Sequence, residues 1–232
     1  MDIGIATSSL NSLNTEDAVR EIAELGVKVA VDFATFYEYR PEFSKKIAGA
    51  PIVECVSTRR ATFEELLCDM SRRVRGDCLY WADQLMRSCI LLGCKNYAYR
   101  GVTSECNFDE LAGYVSEIRR FCAHYGVNFL LSNKADGVYY RTGIFKEIKS
   151  RVPELYGVFD MNEAQKSGYP VGMYIEEMSG ALGIARVNLS EPLEEVIKRL
   201  KGAGFDGTVI LDSRGDITEI KDSIKKLKEI IE

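Results

Sequence analysis

The chain has 232 residues, 46% of them hydrophobic, and a formal net charge of −5 from 30 basic and 35 acidic side chains. That length suits one domain over 1–232, the apolar share excludes a disordered chain, and the mildly acidic balance argues against nucleic acid as a partner. No apolar run approaches the roughly 20 residues that span a bilayer. The start, Met1-Asp2-Ile3-Gly4-Ile5-Ala6, enters a strand without a basic signal region. Seven cysteines (Cys55, Cys68, Cys78, Cys89, Cys94, Cys106 and Cys122) form no CxxC pair and fall mostly in apolar patterns. They read as reduced, buried thiols of a cytoplasmic protein.

In chain order, apolar runs at 3–7, 27–32, 51–56, 96–100, 127–132, 155–160, 184–189 and 207–212 predict strands. Most are continuous rather than alternating, as in a parallel sheet buried on both faces. Amphipathic stretches at 15–25, 41–48, 63–92, 108–125, 140–151, 173–182, 193–203 and 216–231 predict the helices between them. Thr15 with Asp17 and Ala18 reads as the first helix's cap, and Ala18, Ile22 and Leu25 as its buried stripe. The long third stretch is expected to break near Gly76. Gly93, Gly126, Gly202 and Gly204 stand where helix ends need a left-handed residue. Pro192 suits a first helical turn, with Glu194 and Glu195 on the helix dipole. Eight strand–helix units predict an α/β fold, a single-domain (β/α)8 TIM barrel, whose site is built from the C-terminal ends of its strands. There is no GxGxxG, P-loop, GxSxG or His/Cys metal spacing.

Several stretches resemble the xylose-isomerase-like TIM barrels, a superfamily of sugar-phosphate isomerases and epimerases that includes endonuclease IV-type repair enzymes. Residues 16–32, ending at Asp32, resemble that family's first helix and second strand. Residues 81–95 resemble its third helix leading to strand four. Phe159-Asp160-Met161-Asn162-Glu163-Ala164 with Gly168 resembles its Asp-x-x-His motif with a later glycine. The resemblance implies a metal held by a Glu, an Asp, a His and a Glu after strands five to eight. In this chain those positions are Ser132, Asp160, Asn188 and Asp212, and the motif histidine falls on Glu163. The histidine that often closes strand four is replaced around Tyr99 and Arg100. The one histidine, His124, lies in the last turn of a helix, where a structural role is expected. The metal site is thus degenerate. An all-oxygen set excludes zinc and suits weak Mg²⁺ or Mn²⁺ at most, and no cofactor is expected with confidence. The competing expectation is that Asp160 and Asp212 hydrogen-bond to loop backbone.

Basic residues cluster at or beyond the strand ends: Arg59, Arg60, Arg100, Lys134, Arg186 and Arg214. They read either as a seat for a small anionic ligand or as salt bridges to Asp32, Asp160, Glu163 and Asp212. Expected catalytic groups are Asp160, Glu163, Asp212 and Lys134. Expected ligand-binding groups are Arg100, Lys134, Asn133, Asn188 and Asp32, with Asp160 and Asp212 orienting Arg100 and Lys134. Lys134 as a Schiff-base lysine is a further option. Phe33, Phe36, Tyr37, Tyr39, Tyr139, Tyr140 and Arg141 flank the mouth, as ring-stacking groups or as cover for the core. The resemblance implies a sugar or sugar-phosphate isomerase or epimerase moving a proton next to a carbonyl, and the departures from its ligand set point to altered or lost metal-dependent activity. The alternatives are a non-catalytic barrel that binds a small anionic metabolite or a protein partner, and an endonuclease IV-like hydrolase. The last needs several metals and a basic DNA-facing surface.

Overall fold

The computed structural model describes residues 1–57, 72–100, 108–135 and 141–232, with backbone only at 72–75. Eight strands run parallel in chain order: β1 (Asp2–Ala6), β2 (Lys28–Asp32), β3 (Ile52–Val56), β4 (Asn96–Tyr99), β5 (Asn128–Ser132), β6 (Tyr156–Asp160), β7 (Leu182–Val187) and β8 (Thr208–Leu211). β8 pairs with β1 and closes the barrel. Around it lie α1 (Thr15–Glu24), α2 (Pro41–Ile47), α3 (Arg72–Leu91), α4 (Phe108–His124), α5 (Ile144–Arg151), α6 (Met161–Ser167), α7 (Val171–Met178), α8 (Leu193–Gly202) and α9 (Ile217–Ile231). This is the (β/α)8 barrel the alternation predicts. No described helix is long and apolar enough to cross a membrane.

Both strand faces are buried, which is why the runs read as continuous. One face meets the helices in a large apolar layer that takes in Ile5, Val29, Val31, Phe129, Leu131, Val187 and Leu211. The other face makes a separate inner cluster of Ala6, Ala30, Val56, Ala98, Leu130, Val158, Ile184 and Ile210. Each large aliphatic residue buried in these layers contributes about 1.5–3 kcal/mol. The lumen is tight at Gly4, where an added Cβ would lie 2.5 Å from Ile210 Cδ1. Higher up, three of the inner-cluster residues are alanines, which leave room for longer side chains to enter.

Several local expectations are corrected. Asn14, not Thr15, caps α1, its side chain accepting from Asp17 N at 2.9 Å. α3 runs through Gly76 without a break. A solvent-facing glycine costs a helix only about 1 kcal/mol, which the rest of a 20-residue helix absorbs. Gly202 belongs to α8, and Gly204 is the left-handed residue, at φ 74°. Pro192 caps α8 from just outside it. β7 begins and ends two residues earlier than expected, and α6 was not anticipated.

Cys55, Cys78, Cys89, Cys94 and Cys122 are free and buried; Cys68 and Cys106 lie outside the described residues. Phe33 and Tyr39 are buried and Phe36 packs 4.9 Å from Trp81, so these rings cover the core, while Tyr37 is exposed. His124 is exposed at the end of α4, its ring edge-on to Tyr125.

Candidate functional site

Parallel closure brings the expected residues to one rim. Asp32, Ser132 and Asp160 end β2, β5 and β6; Arg100, Asn188 and Asp212 follow β4, β7 and β8. Arg59, Arg60, Tyr139 and Tyr140 lie outside the described residues.

The centre of the rim belongs to a residue expected only as one rim cation among several. Arg186 sits inside β7, 2% exposed, and its side chain turns into the lumen. β3 and β7 stand opposite each other in the closed sheet. Arg186 therefore reaches across the barrel to Glu54 on β3, which is fully buried. Its Nε and Nη2 meet Glu54 Oε2 at 2.9 and 2.8 Å. Nη2 also meets Asp32 Oδ1 at 3.1 Å, and Nη1 meets Asp212 Oδ2 at 3.1 Å. Three carboxylates, from β2, β3 and the residue after β8, thus converge on one guanidinium. Arg100 adds a second cation, Nη2 to Asp32 Oδ1 at 2.6 Å. Ser8 Oγ donates to Asp32 Oδ2 at 2.9 Å and approaches Asp212 Oδ1 at 3.4 Å.

The charges follow from this packing. Burial opposes the charge on Arg186, but Asp32, Glu54 and Asp212 outweigh it and hold the guanidinium's pKa above its ordinary value. Burial pushes the Glu54 carboxyl up, against the pull of Arg186. Asp160, beside Arg186 in the strand register and 3% exposed, is pushed up by burial and then by the Asp212 carboxylate, while Arg100 and Arg186 pull it down.

The remaining expected residues are largely engaged with the scaffold. Asn133 bridges β5 to β6: its Oδ1 accepts from Asp160 N at 2.7 Å and its Nδ2 donates to Asp160 O at 2.9 Å. Asp160 Oδ1 accepts from Glu163 N at 3.1 Å, capping α6. Glu163 Oε2 accepts from Ala135 N at 3.1 Å, and Lys166 pairs with Oε1 at 2.7 Å. Ser132 Oγ donates to Asn133 O at 3.1 Å. Asn188 Nδ2 donates to Asn162 Oδ1 and Gln165 Oε1 at 2.7 and 2.9 Å, and its Oδ1 accepts from Ser190 N at 2.8 Å. Asn162 Nδ2 in turn donates to Asp212 O at 3.1 Å. Lys134 is half-buried two residues past β5, and Arg141 pairs with Glu147 at 2.8 Å. Arg100 is held by Asp32, whereas the orienting residues expected for it were Asp160 and Asp212.

Two hollows open at this rim, of about 480 and 450 Å³. The first is lined by Lys166, Asn188, Ser190, Asp212, Ser213 and Arg214; the second includes Ser8, Asn11, Asp32, Ser57 and again Arg214. Arg214 is exposed between them. Polar, concave and carboxylate-bearing, this rim suits a small polyhydroxylated ligand.

The set Ser132, Asp160, Asn188 and Asp212 does not fit a metal as arranged. The amide oxygen of Asn188 serves Ser190, one Asp160 oxygen caps α6, and Asp212 is paired with Arg186. No group of three His, Cys, Asp or Glu side chains among the described residues is disposed to hold a metal ion.

No family model matches the chain, and no curated protein matches it in sequence. Solved structures match in fold. D-psicose 3-epimerase from Clostridium cellulolyticum H10, crystallised with D-tagatose, is 12% identical with a TM-score of 0.78, covering all of both chains. 3-Keto-D-glucoside 4-epimerase from E. coli, in its apo form, is 14% identical with a TM-score of 0.77, covering 99% of each chain. The IOLI protein, in a structure with a zinc atom, is 12% identical with a TM-score of 0.75, covering 100% of this chain and 98% of that one. At these identities the likeness is one of fold, a closed (β/α)8 barrel shared with sugar epimerases and with a xylose isomerase domain protein.

Proposed function

We propose that this barrel binds a sugar or sugar phosphate at its rim and moves a proton at the carbon next to the ligand's carbonyl, as an isomerase or epimerase. The observation that carries the reading is the pairing of Asp212, which lines the open rim, with Asp160, a buried carboxyl that its surroundings push up. Two carboxyl groups in unlike environments are what acid–base chemistry on such a carbon needs. The fold neighbours named as sugar epimerases support the ligand class.

In this scheme the Asp212 carboxylate takes the proton from carbon, leaving an enediolate. Asp160 holds the proton that is returned, to the opposite face in epimerisation or to the neighbouring carbon in isomerisation. Arg186 and Ser8 fix Asp212, and Asn133 fixes the backbone that carries Asp160. A phosphate on the ligand would be received by Arg214, with Lys134 on the far side of the rim.

The test is proton exchange. D-Tagatose, D-fructose and D-fructose 6-phosphate are incubated with the protein in D2O and followed by proton NMR. Deuterium enters next to the carbonyl of at least one of them. Asp212→Asn slows that entry by at least about 10²-fold, the usual contribution of a positioned base. Binding without exchange across all three would instead favour the non-catalytic binder.

A further inference from the structure

We infer that Arg186 is the resident cation of this site: its guanidinium stands among Asp32, Glu54 and Asp212 where a divalent ion would otherwise sit, so that removing its charge turns the rim into a divalent-cation site. The geometry is that of a cation with its ligand shell. One positive group meets carboxylate oxygens from β2, β3 and the end of β8 at 2.8–3.1 Å. It is 2% exposed and Glu54 is fully buried, so bulk water hardly screens their pairing. Among the described residues Glu54 Oε1 has no hydrogen-bond partner, which leaves one buried carboxylate oxygen in the cluster uncommitted by them.

The chemistry of the donors points the same way. Three carboxylates make an all-oxygen set, the kind that takes Mg²⁺ or Mn²⁺. Ion-pair contacts near 3 Å seat those oxygens around a planar fork, well beyond the metal–oxygen bonds of about 2.0–2.2 Å that an ion would need. As built, the shell therefore fits a guanidinium and not an ion. Without the guanidinium, Glu54 and Asp212 face Asp32 with only Arg100, on Asp32, left to offset them, and a small divalent cation is the group that would draw the three together. A buried ion cluster is also a poor way to stabilise a fold, because apolar side chains of equal volume often do as well or better. A chain that carries Arg186 across its own lumen is using it to arrange the carboxylates.

This inference is independent of the isomerase reading, because it is read by metal binding and not by turnover. The probe is Mn²⁺, followed by electron paramagnetic resonance and by thermal unfolding with and without chelator. The natural protein and Arg186→Lys, which keeps the charge, take up no stoichiometric Mn²⁺, and their melting temperatures ignore chelator. Arg186→Met and Arg186→Gln each gain one Mn²⁺ site, with Kd of about 10⁻⁴ M or tighter, and melt higher when it is filled. If either variant fails to fold in chelator, recovery on refolding with Mn²⁺ supports the inference, and failure of both to recover counts against it. It is overturned if the neutral variants fold without gaining the site, or if the natural protein binds an Mn²⁺ ion that Asp212→Asn abolishes.

Discussion

At Arg186 and Glu54 a change of one side chain alters the whole rim. Removing one partner of a buried ion cluster leaves the others uncompensated, at a cost of about 3–5 kcal/mol. Arg186→Met should lose that much in chemical denaturation, while Arg186→Lys, which keeps the charge but not the fork, should lose less. Asn133→Ala should lose about 1–3 kcal/mol for each Asp160 backbone group it leaves unsatisfied, and should slow any proton exchange with little change in ligand affinity. Arg214, exposed and bridging the two hollows, should matter for anions: Arg214→Ala weakens fructose 6-phosphate binding by about tenfold in calorimetry, and added salt weakens it further. Equal binding of fructose and its phosphate would remove Arg214 from the site. The sequence groups Arg186 with the strand-end cations although the run 184–189 already contains it; what that grouping misses is its direction, into the lumen one residue before β7 ends at Val187. Glu54 carries a readable signal: a carboxylate inside an apolar strand of a doubly covered sheet must have a buried partner.

The elements themselves explain which boundaries were legible. The expected helix 216–231 starts at the residue that caps α9, Asp216, which closes a full capping box with Glu219, whereas the cap of α1 lies one residue before the Thr15 expected. α6 is hidden because Asp160 serves two elements at once, ending β6 and capping a helix that Gly168 stops after Ser167. The Asp-x-x-His resemblance places Glu163 in a chemical motif; in the fold Glu163 ties the segment after β5 to α6. Another element-level device is Glu177 on α7. Its Oε2 accepts from Gly143 N at the start of α5, and its carboxyl is pushed up to about 7, first by burial and further by Glu147, against the Gly143 hydrogen bond, Lys146 and Arg141. A carboxyl raised above its unfolded value contributes stability that is full at low pH and is lost as pH rises toward 7. Glu177→Gln should therefore flatten the fall in melting temperature between roughly pH 5 and 7 and melt higher than the natural protein at pH 8. An unchanged pH profile would show that Glu177 keeps its charge in the folded state.

For the whole molecule, the barrel was legible because it is written in local pattern: eight apolar runs, each buried on both faces, alternate with amphipathic helices. The site was less so, because its chemistry is made by pairs far apart in the chain; Arg186 and Glu54 are 132 residues apart. The resemblance singled out Asp32, Asp160 and Asp212, which the closed barrel brings to one rim. It did not supply the residue that holds three of the rim's acidic groups together. At the rim of this chain it is Arg186, a side chain, that stands among the carboxylates as a positive charge. Elemental analysis of the protein as purified, before dialysis, tests this most directly. Zinc and manganese should each be present at less than about one tenth of an equivalent, since the oxygen donors are already held by Arg186 and by the scaffold. A stoichiometric metal that survives chelator and disappears in Asp212→Asn would contradict it.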